Sequence, residues 1–343
     1  MLHSCQIHRF KARVLAIAGL GRRIADSKRN LDFLRGSIYS ILAWPFICLL
    51  LTALLWGVIL TKLENDKTTI KQNAFKHASS LSKGYAEQLA RTVDQIDQIT
   101  LTLKYYWKER RGALHLEKQL EEGLYPASGQ LYVTLVDRYG TRVASTMRLE
   151  KKPAPSLAVR DFFRQHRDDA SKGLLISPAE PGLRSREKLV RFSRRLETAE
   201  GAFDGLVIVS VAPAYLASFT DVSSLSKNDF LTVRRSDGPL LAAETGDGID
   251  PLTAVVGSPP VFESDRGVAA MAGEKFADGE SRIVAWHKLS NYPLVSTVGL
   301  SEQEIAESYR LMARDYRHMA VAATLFLLLA ALVGMVVSSR LAW

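Results

Sequence analysis

Cysteine is nearly absent from this chain. Among 343 residues there are two, Cys5 and Cys48, and none between residues 61 and 318. That stretch therefore holds no disulfide and no thiolate zinc site, and its stability must come from core packing. Catalytic signatures are missing as well. There is no His-Glu-x-x-His, no Gly-x-Ser-x-Gly and no phosphate-cradling Gly-x-x-x-x-Gly-Lys. Gly19-Leu20-Gly21 lacks a third glycine and a preceding strand, so it is no dinucleotide fingerprint. Gly246-Asp247-Gly248-Ile249-Asp250 lacks the ligand spacing of a calcium loop and reads as a surface turn. We expect no catalytic residue, no cofactor and no metal in this chain.

Charge is the third absence. Residues 38–60 carry no charged side chain over 23 positions, and residues 319–337 carry none over 19. About 20 apolar helical residues cross a bilayer, so both stretches qualify as transmembrane helices. The apolar core of the first is too long for a cleaved signal peptide, and no Ala-x-Ala-like site follows it. Residues 1–37 hold eight Lys/Arg against two acids. That excess predicts a cytoplasmic leader in contact with anionic lipid headgroups. Two crossings then return the tail, residues 338–343, to the cytoplasm and leave residues 61–318 outside it. Arg310, Arg314, Arg317 and His318 flank the second span on the outer side and argue mildly the other way. The net charge of +9 does not point to nucleic acid, because residues 61–318 balance 36 Lys/Arg against 34 Asp/Glu.

Residues 61–110 begin the outer part with one long helix. Over 63–110, Ile70, Ala74, Ala78, Leu81, Tyr85, Leu89, Val93, Ile96, Ile99, Leu103 and Tyr106 recur in steps of three or four, the period of a single apolar stripe. Such a helix would reach roughly 70 Å. Its stripe serves either the chain's own sheet or a homodimer seam, and a homodimer is expected.

The period then changes. Residues 131–137 and 141–146 read as a hairpin around Asp137-Arg138-Tyr139-Gly140. A Pro-rich connection at 151–156, a short helix over 159–170, a brief strand at 174–177 and a loop at 178–185 follow. Strands at 188–196 and 205–211 flank a turn at 200–204. The order repeats on a smaller scale. A short helix at 213–219 precedes strands at 230–235 and 239–243, an irregular stretch at 244–260, and a strand pair at 281–287 and 294–299. Ser301-Glu302-Gln303-Glu304 reads as a capping box opening an exit helix, 301–318, into the second span. The fold class is α+β, with units at 111–212 (membrane-distal) and 213–300 (membrane-proximal) sharing the long helix.

The stretch VRDFFRQHRDDASKGLLISPAEPGLRSREKLVRFSRRLETAEGAFDGLVIVSVAPAYLASF, residues 159–219, resembles the ligand-binding segment of double Cache sensor domains. These precede bacterial diguanylate cyclases and sensor kinases. YPLVSTVGLSEQE, residues 292–304, is similar to the close of the membrane-proximal unit. The resemblance covers about residues 61–318. It implies two PAS-like units on one helix and a small-molecule site, between the distal sheet and its helical insert, for a metabolite such as a carboxylate or amine. The family's amino-acid-binding pattern is incomplete here. Phe162-Phe163-Arg164 lacks the tryptophan, and Ser210 stands where an aspartate is looked for.

Residues 160–195 hold ten Lys/Arg against five acids, and a guanidinium fork suits a carboxylate. The candidate ligand residues are Arg164, His166, Arg191 and Ser193, with Phe163 as an apolar wall and Arg138 and Ser145 as additional candidates. Taken singly, each also reads as part of a solvated, mixed-charge face. Arg191 and Ser193 alternate in phase on one strand and so share a face. The expected function is an extracytoplasmic sensor of a small anionic metabolite, with output supplied by a cytoplasmic output domain or partner protein. The alternative is an extracytoplasmic interaction module with no small-molecule ligand.

Overall fold

A computed structural model describes residues 4–109, 116–123, 130–147, 155–170, 173–182, 187–217, 225–246 and 264–341, with side chains from residue 42 onward except those of Glu117, Leu120 and Leu341. Most of the Pro-rich connection (151–154) and most of the irregular stretch with its Gly-Asp-rich turn (247–260) lie outside the described residues. So do the side chains of the basic leader. The chain divides into two compact units, residues 69–307 and the combination of 1–68 with 308–343.

The second of these units is a helix pair. Helix α1 (Ser4–Glu109) and helix α5 (Glu302–Leu341) each contain a segment long and apolar enough to cross a membrane. Large apolar side chains such as Leu42, Phe46, Leu49, Leu325, Phe326 and Leu329 point outward, which suits lipid and not water. The two helices run antiparallel. Trp44 Nε1 donates to Ser338 Oγ at 2.9 Å, Trp56 Nε1 to Thr324 Oγ1 at 3.2 Å, and Tyr309 Oη to the Leu63 carbonyl at 3.2 Å. The Trp44 and Trp56 pairings give indole donors a partner within or at the edge of the apolar segments, where water is scarce, and the Tyr309 pairing lies beyond those segments. Gly334 makes the Trp44 pairing possible, because a Cβ there would lie 2.4 Å from the indole. Pro45 lies inside α1 without ending it.

In the other unit, two antiparallel sheets share the rest of α1. The first comprises β1 (Leu131–Asp137), β2 (Arg142–Ser145), β3 (Leu175–Ile176), β4 (Glu180–Pro181), β5 (Lys188–Glu197) and β6 (Phe203–Val211). Its order is β2-β1-β6-β5-β3, with β4 also paired to β5. The second comprises β7 (Phe230–Arg235), β8 (Leu240–Thr245), β9 (Arg266–Met271), β10 (Arg282–Lys288) and β11 (Leu294–Ser301), ordered β8-β7-β11-β10-β9. Both sheets thus place the opening hairpin beside the last strand of the unit. The short helices are α2 (Leu116–Glu121), α3 (Asp161–Asp168) and α4 (Pro213–Ala217). Strands β4 and β9 were not expected from the sequence, and 281–287 and 294–299 are two strands of a five-stranded sheet.

The α1 stripe is spent within the chain. Ala78, Ser82, Tyr85, Leu89, Val93, Ile96, Thr100, Leu103 and Trp107 are buried. Ser296 Oγ donates to the Ser82 carbonyl and Tyr292 Oη to Asp94, so the middle of α1 meets the second sheet. Arg194 bonds Asp97 and Thr100, and Trp107 Nε1 donates to Asp204 at 2.9 Å, so its end meets the first. Each fully buried Leu, Ile or Val contributes about 1.5–3 kcal/mol. Tyr106, read as part of the stripe, is instead 39% exposed.

Gly205 is required by contact. Gly205 adopts φ +133°, and a Cβ there would lie 1.9 Å from the Val136 carbonyl oxygen. It stands beside the irregular pairing at Leu196/Glu197. Gly205→Ala should destabilise the chain by about 3 kcal/mol or more, measured by thermal unfolding. Gly201→Ala, with nothing within 4 Å of its Cβ position, should cost about 1 kcal/mol.

Candidate functional site

The first sheet has two faces of different character. Val190, Phe192 and Leu196 of β5, Val207, Val209 and Val211 of β6, and Leu131, Val133 and Leu135 of β1 pack in the α1 cluster. Their alternates face the other way. Cross-strand register arranges those alternates in rows: Val136–Leu206–Arg195, then Thr134–Ile208–Ser193, then Tyr132–Ser210–Arg191. Ser145 extends the middle row, 3.0 Å from Thr134 Oγ1.

Helix α3 covers the first two rows. Its Phe162 and Phe163 are buried with Val136, Leu206 and Ile208, and the Phe163 ring meets Phe203 edge-on at 5.4 Å. One turn on from Phe162 the same face carries His166, 0% exposed. Arg195 fixes the C-terminal end of the helix, donating to the carbonyls of His166 at 2.6 Å and Arg167 at 3.3 Å.

His166 Nε2 lies 3.0 Å from the Ser193 carbonyl and 3.1 Å from its Oγ. A carbonyl only accepts, so Nε2 carries the proton. Nδ1 is buried without a partner. Burial pushes the imidazole pKa down to about 4. Arg194, Arg195 and Lys104 add to the shift, and the Ser193 hydrogen bond opposes it. His166 is therefore neutral at pH 7.

The third row lies beyond these α3 contacts. Arg191 is buried, and it donates to the carbonyls of Leu189, Glu180 and Pro181 at 3.3–3.4 Å. Arg160, at the start of α3, converges on the same segment. Its Nη1 donates to Glu180 Oε2 at 2.7 Å and its Nη2 to the Pro181 carbonyl at 3.0 Å. Glu180 is also 4.0 Å from Arg191. Two guanidinium groups thus share one carboxylate. Burial holds the Arg191 pKa below its usual value, the Arg160 charge adds to this, and Glu180 opposes it. Ser177, whose amide donates to the Arg191 carbonyl, has a buried hydroxyl without a partner, and so has Arg160 Nε.

Of the residues singled out from sequence, Phe163, His166, Arg191, Ser193 and Ser145 lie on this face. Phe163 and His166 seat α3 on the sheet, and Ser193 is engaged by His166. Arg164 and Arg138 are not brought together with them. Arg164 is exposed on α3 and pairs with Asp161. Arg138, in the β1–β2 turn, pairs with Asp204 at 2.8 Å, at the end of β6 away from Ser210. Sequence reasoning did not select Arg160, Tyr132, Thr134 or Ser177. Their signal was available only as alternation on β1, a serine just past β3 and an arginine just ahead of a helix. Among the described residues, no group of three His, Cys, Asp or Glu side chains is placed to hold a metal ion.

No family model and no curated protein matches the chain. Solved structures match it in fold. The extracellular domain of the putative histidine kinase rpHK1S-Z16 is 24% identical, covers 67% of this chain and 95% of that one, and superposes with a TM-score of 0.56. The periplasmic sensory domain of the Campylobacter jejuni chemoreceptor Tlp1 is 12% identical over 69% of this chain and 98% of its own, TM-score 0.51. The ligand-binding domain of the Pseudomonas fluorescens chemoreceptor CtaA, solved with L-isoleucine, is 11% identical over 71% and 98%, TM-score 0.50. Two antiparallel sheets of matching strand order on one long helix, flanked by two apolar helices, give this chain the fold of these extracytoplasmic sensory domains, the double Cache arrangement.

Proposed function

We propose that the chain is a two-pass sensor of a bacterial inner membrane. Residues 61–318 lie outside the cytoplasm, both termini lie inside, and the first sheet binds a small carboxylate metabolite. One observation carries the reading: Arg160 and Arg191 share the single carboxylate of Glu180, beside the unpartnered Ser177 hydroxyl and Arg160 Nε. A buried surplus of positive charge is stabilised by an anion, and a guanidinium binds a carboxylate through two parallel hydrogen bonds. Tyr132, Ser210 and Arg191 form the row against which the bound molecule rests. The ligand transmits a signal only through unequal affinity for two arrangements of the receptor, and a cytoplasmic partner or output domain reads that difference.

The test is calorimetric titration of the full chain in lipid nanodiscs against a panel of carboxylates and amines. A carboxylate should bind, and Arg191→Ala should weaken it about tenfold or more. Binding of amines alone, or carboxylate binding unchanged by Arg191→Ala, would refute the assignment. Silence across the panel together with a captured protein partner would favour the interaction module.

A homodimer seam on α1 must use side chains that the sheets leave free. Leu101 and Tyr105 are 40% and 63% exposed. Single cysteines there should cross-link between copies, while cysteines at the buried Ala78 and Leu89 should not. Cross-links at Ala78 but not at Leu101 would contradict this.

A further inference from the structure

The second sheet repeats the strand order of the first, and its face away from α1 carries polar groups that packing does not use. Alternation fixes that face. Leu231, Val233, Ile283, Ala285 and Val298 pack in the α1 cluster, and Ser296 bonds Ser82 of α1. Phe230, Thr232 and Arg234 of β7, Val284 and Trp286 of β10, and Val295 and Thr297 of β11 therefore point the other way. Thr232, Thr297 and Trp286 occupy one cross-strand row, and Arg234 stands one row further, opposite Val295.

The two buried arginines of this sheet are treated differently. Arg282, 1% exposed, is saturated: its guanidinium bonds both carboxylate oxygens of Asp278 and the Asn228 carbonyl, and lies over the Phe230 and Phe276 rings. Arg234, 7% exposed, has one hydrogen bond among the described residues, from Nη1 to the Gly238 carbonyl at 3.2 Å, and no carboxylate. Burial lowers its pKa. Diagonal to Arg234 lies Thr297, 3% exposed, whose Oγ1 is buried without a partner among the described residues. Thr232, 2% exposed, is its cross-strand neighbour.

The apolar groups around them lie close to the sheet. The Trp286 indole covers Gly267, where a Cβ would be 2.4 Å from the ring, and its Nε1 donates to the Ser264 carbonyl. The Phe230 ring covers Gly299 in the same manner, with a Cβ there 2.3 Å away. Glycines under both rings let them lie flat on the sheet: the Phe230 ring on the row next to Thr232 and Thr297, the Trp286 indole toward β9.

We infer that this face of the second sheet is a separate ligand site for a small monocarboxylate. Arg234 binds the carboxylate, Thr297 and Thr232 supply hydroxyls, and Phe230 and Val295 meet a short hydrocarbon body. Diagonal Cβ atoms on neighbouring strands lie about 7 Å apart, a span that a carboxylate held by a guanidinium bridges. An anion here supplies what no described residue gives Arg234, a carboxylate partner for a buried cation.

The test uses the full chain in nanodiscs, titrated calorimetrically with sodium propionate and sodium benzoate. The Arg191→Ala background removes the first-sheet site. At least one probe should still bind there, and Arg234→Gln or Thr297→Val should weaken it about tenfold or more. Thr297→Val should also melt no lower than its parent, because it deletes an unsatisfied buried hydroxyl. A structural role for Thr297 would lower the melting temperature instead. Absence of binding by both probes in the Arg191→Ala protein overturns the inference. So does affinity unchanged by Thr297→Val.

Discussion

Arg282→Ala should destabilise the chain by about 4 kcal/mol, one of the largest losses open to a single substitution here. Arg282 ties three things together. Its Nη1 and Nη2 grip Asp278 at 2.9 and 2.5 Å, and its Nε and Nη2 donate to the Asn228 carbonyl at 3.2 and 3.1 Å. The guanidinium carbon lies 5.5 Å from the Phe230 ring centre and 5.0 Å from that of Phe276. Truncation opens a cavity between two aromatic rings and strips the Asn228 carbonyl of both guanidinium donors. Asp278 is 34% exposed and returns to water at little cost, so the loss is one of packing and backbone satisfaction more than of charge pairing. For a unit of this size, thermal unfolding should shift by about 10 °C. Arg282→Met keeps much of the stem's packing and should lose less. Equal losses in the two variants would place the weight on the hydrogen bonds. A shift below about 2 °C for Arg282→Ala would contradict the whole account of this junction.

Stability should also fall as the pH drops from 6.5 toward 4, and His166 should cause a measurable part of that fall. Its folded pKa is about 4, against 6.5 for the free side chain. Between those values the unfolded chain binds a proton that the folded chain refuses, so acidification favours unfolding. Above pH 6.5 the effect is absent, and below pH 4 it is complete at about 3 kcal/mol. His166→Gln retains a donor for the Ser193 carbonyl and does not titrate. Urea unfolding at pH 7 and pH 4.5 should show a steeper loss in the wild type than in His166→Gln. Parallel losses would mean that His166 is protonated in the folded state.

The long helix and most strands were legible because their signals are local. β7 spans Phe230–Arg235, the range read from a β-rich run closed by Ser236-Asp237-Gly238. The α1 stripe was read from its period, and the sheets do occupy it. β9 escaped because Arg266–Met271 is built of Gly, Val and Ala with little alternation. Such an edge strand is defined by its partner β10 more than by its own residues. The capping box was half right. Ser301 Oγ accepts from the Glu304 amide at 3.4 Å, but the Ser301 amide donates to Asp229, and Glu304 accepts from the Asn228 amide. A carboxylate 72 positions away in sequence displaced the reciprocal bond, and no local pattern foretells that.

The candidate ligand face was legible as chemistry and not as geometry. The arginine excess of residues 160–195 points to the region, and strand alternation puts Arg191 and Ser193 on one side, as the structure does. Their uses differ because α3 packs over one and not the other. His166, read alone as a surface histidine, is fully buried because Phe162 and Phe163 anchor α3 on β1 and β6. Arg164 and Arg167 share that short helix but stay in water on its other side, each paired with a neighbouring aspartate. Arg160 converges with Arg191 only because β4 brings Glu180 and Pro181 between them, and a two-residue strand leaves almost no trace in a sequence.

Hydrogen exchange on the full chain in nanodiscs, with and without the carboxylate that titrates most tightly, is the most direct test of the sensor assignment. The account predicts slowed exchange in β5 around Arg191 and in the Glu180–Pro181 segment, abolished by Arg191→Ala. Unchanged exchange in both segments at saturating ligand would contradict it.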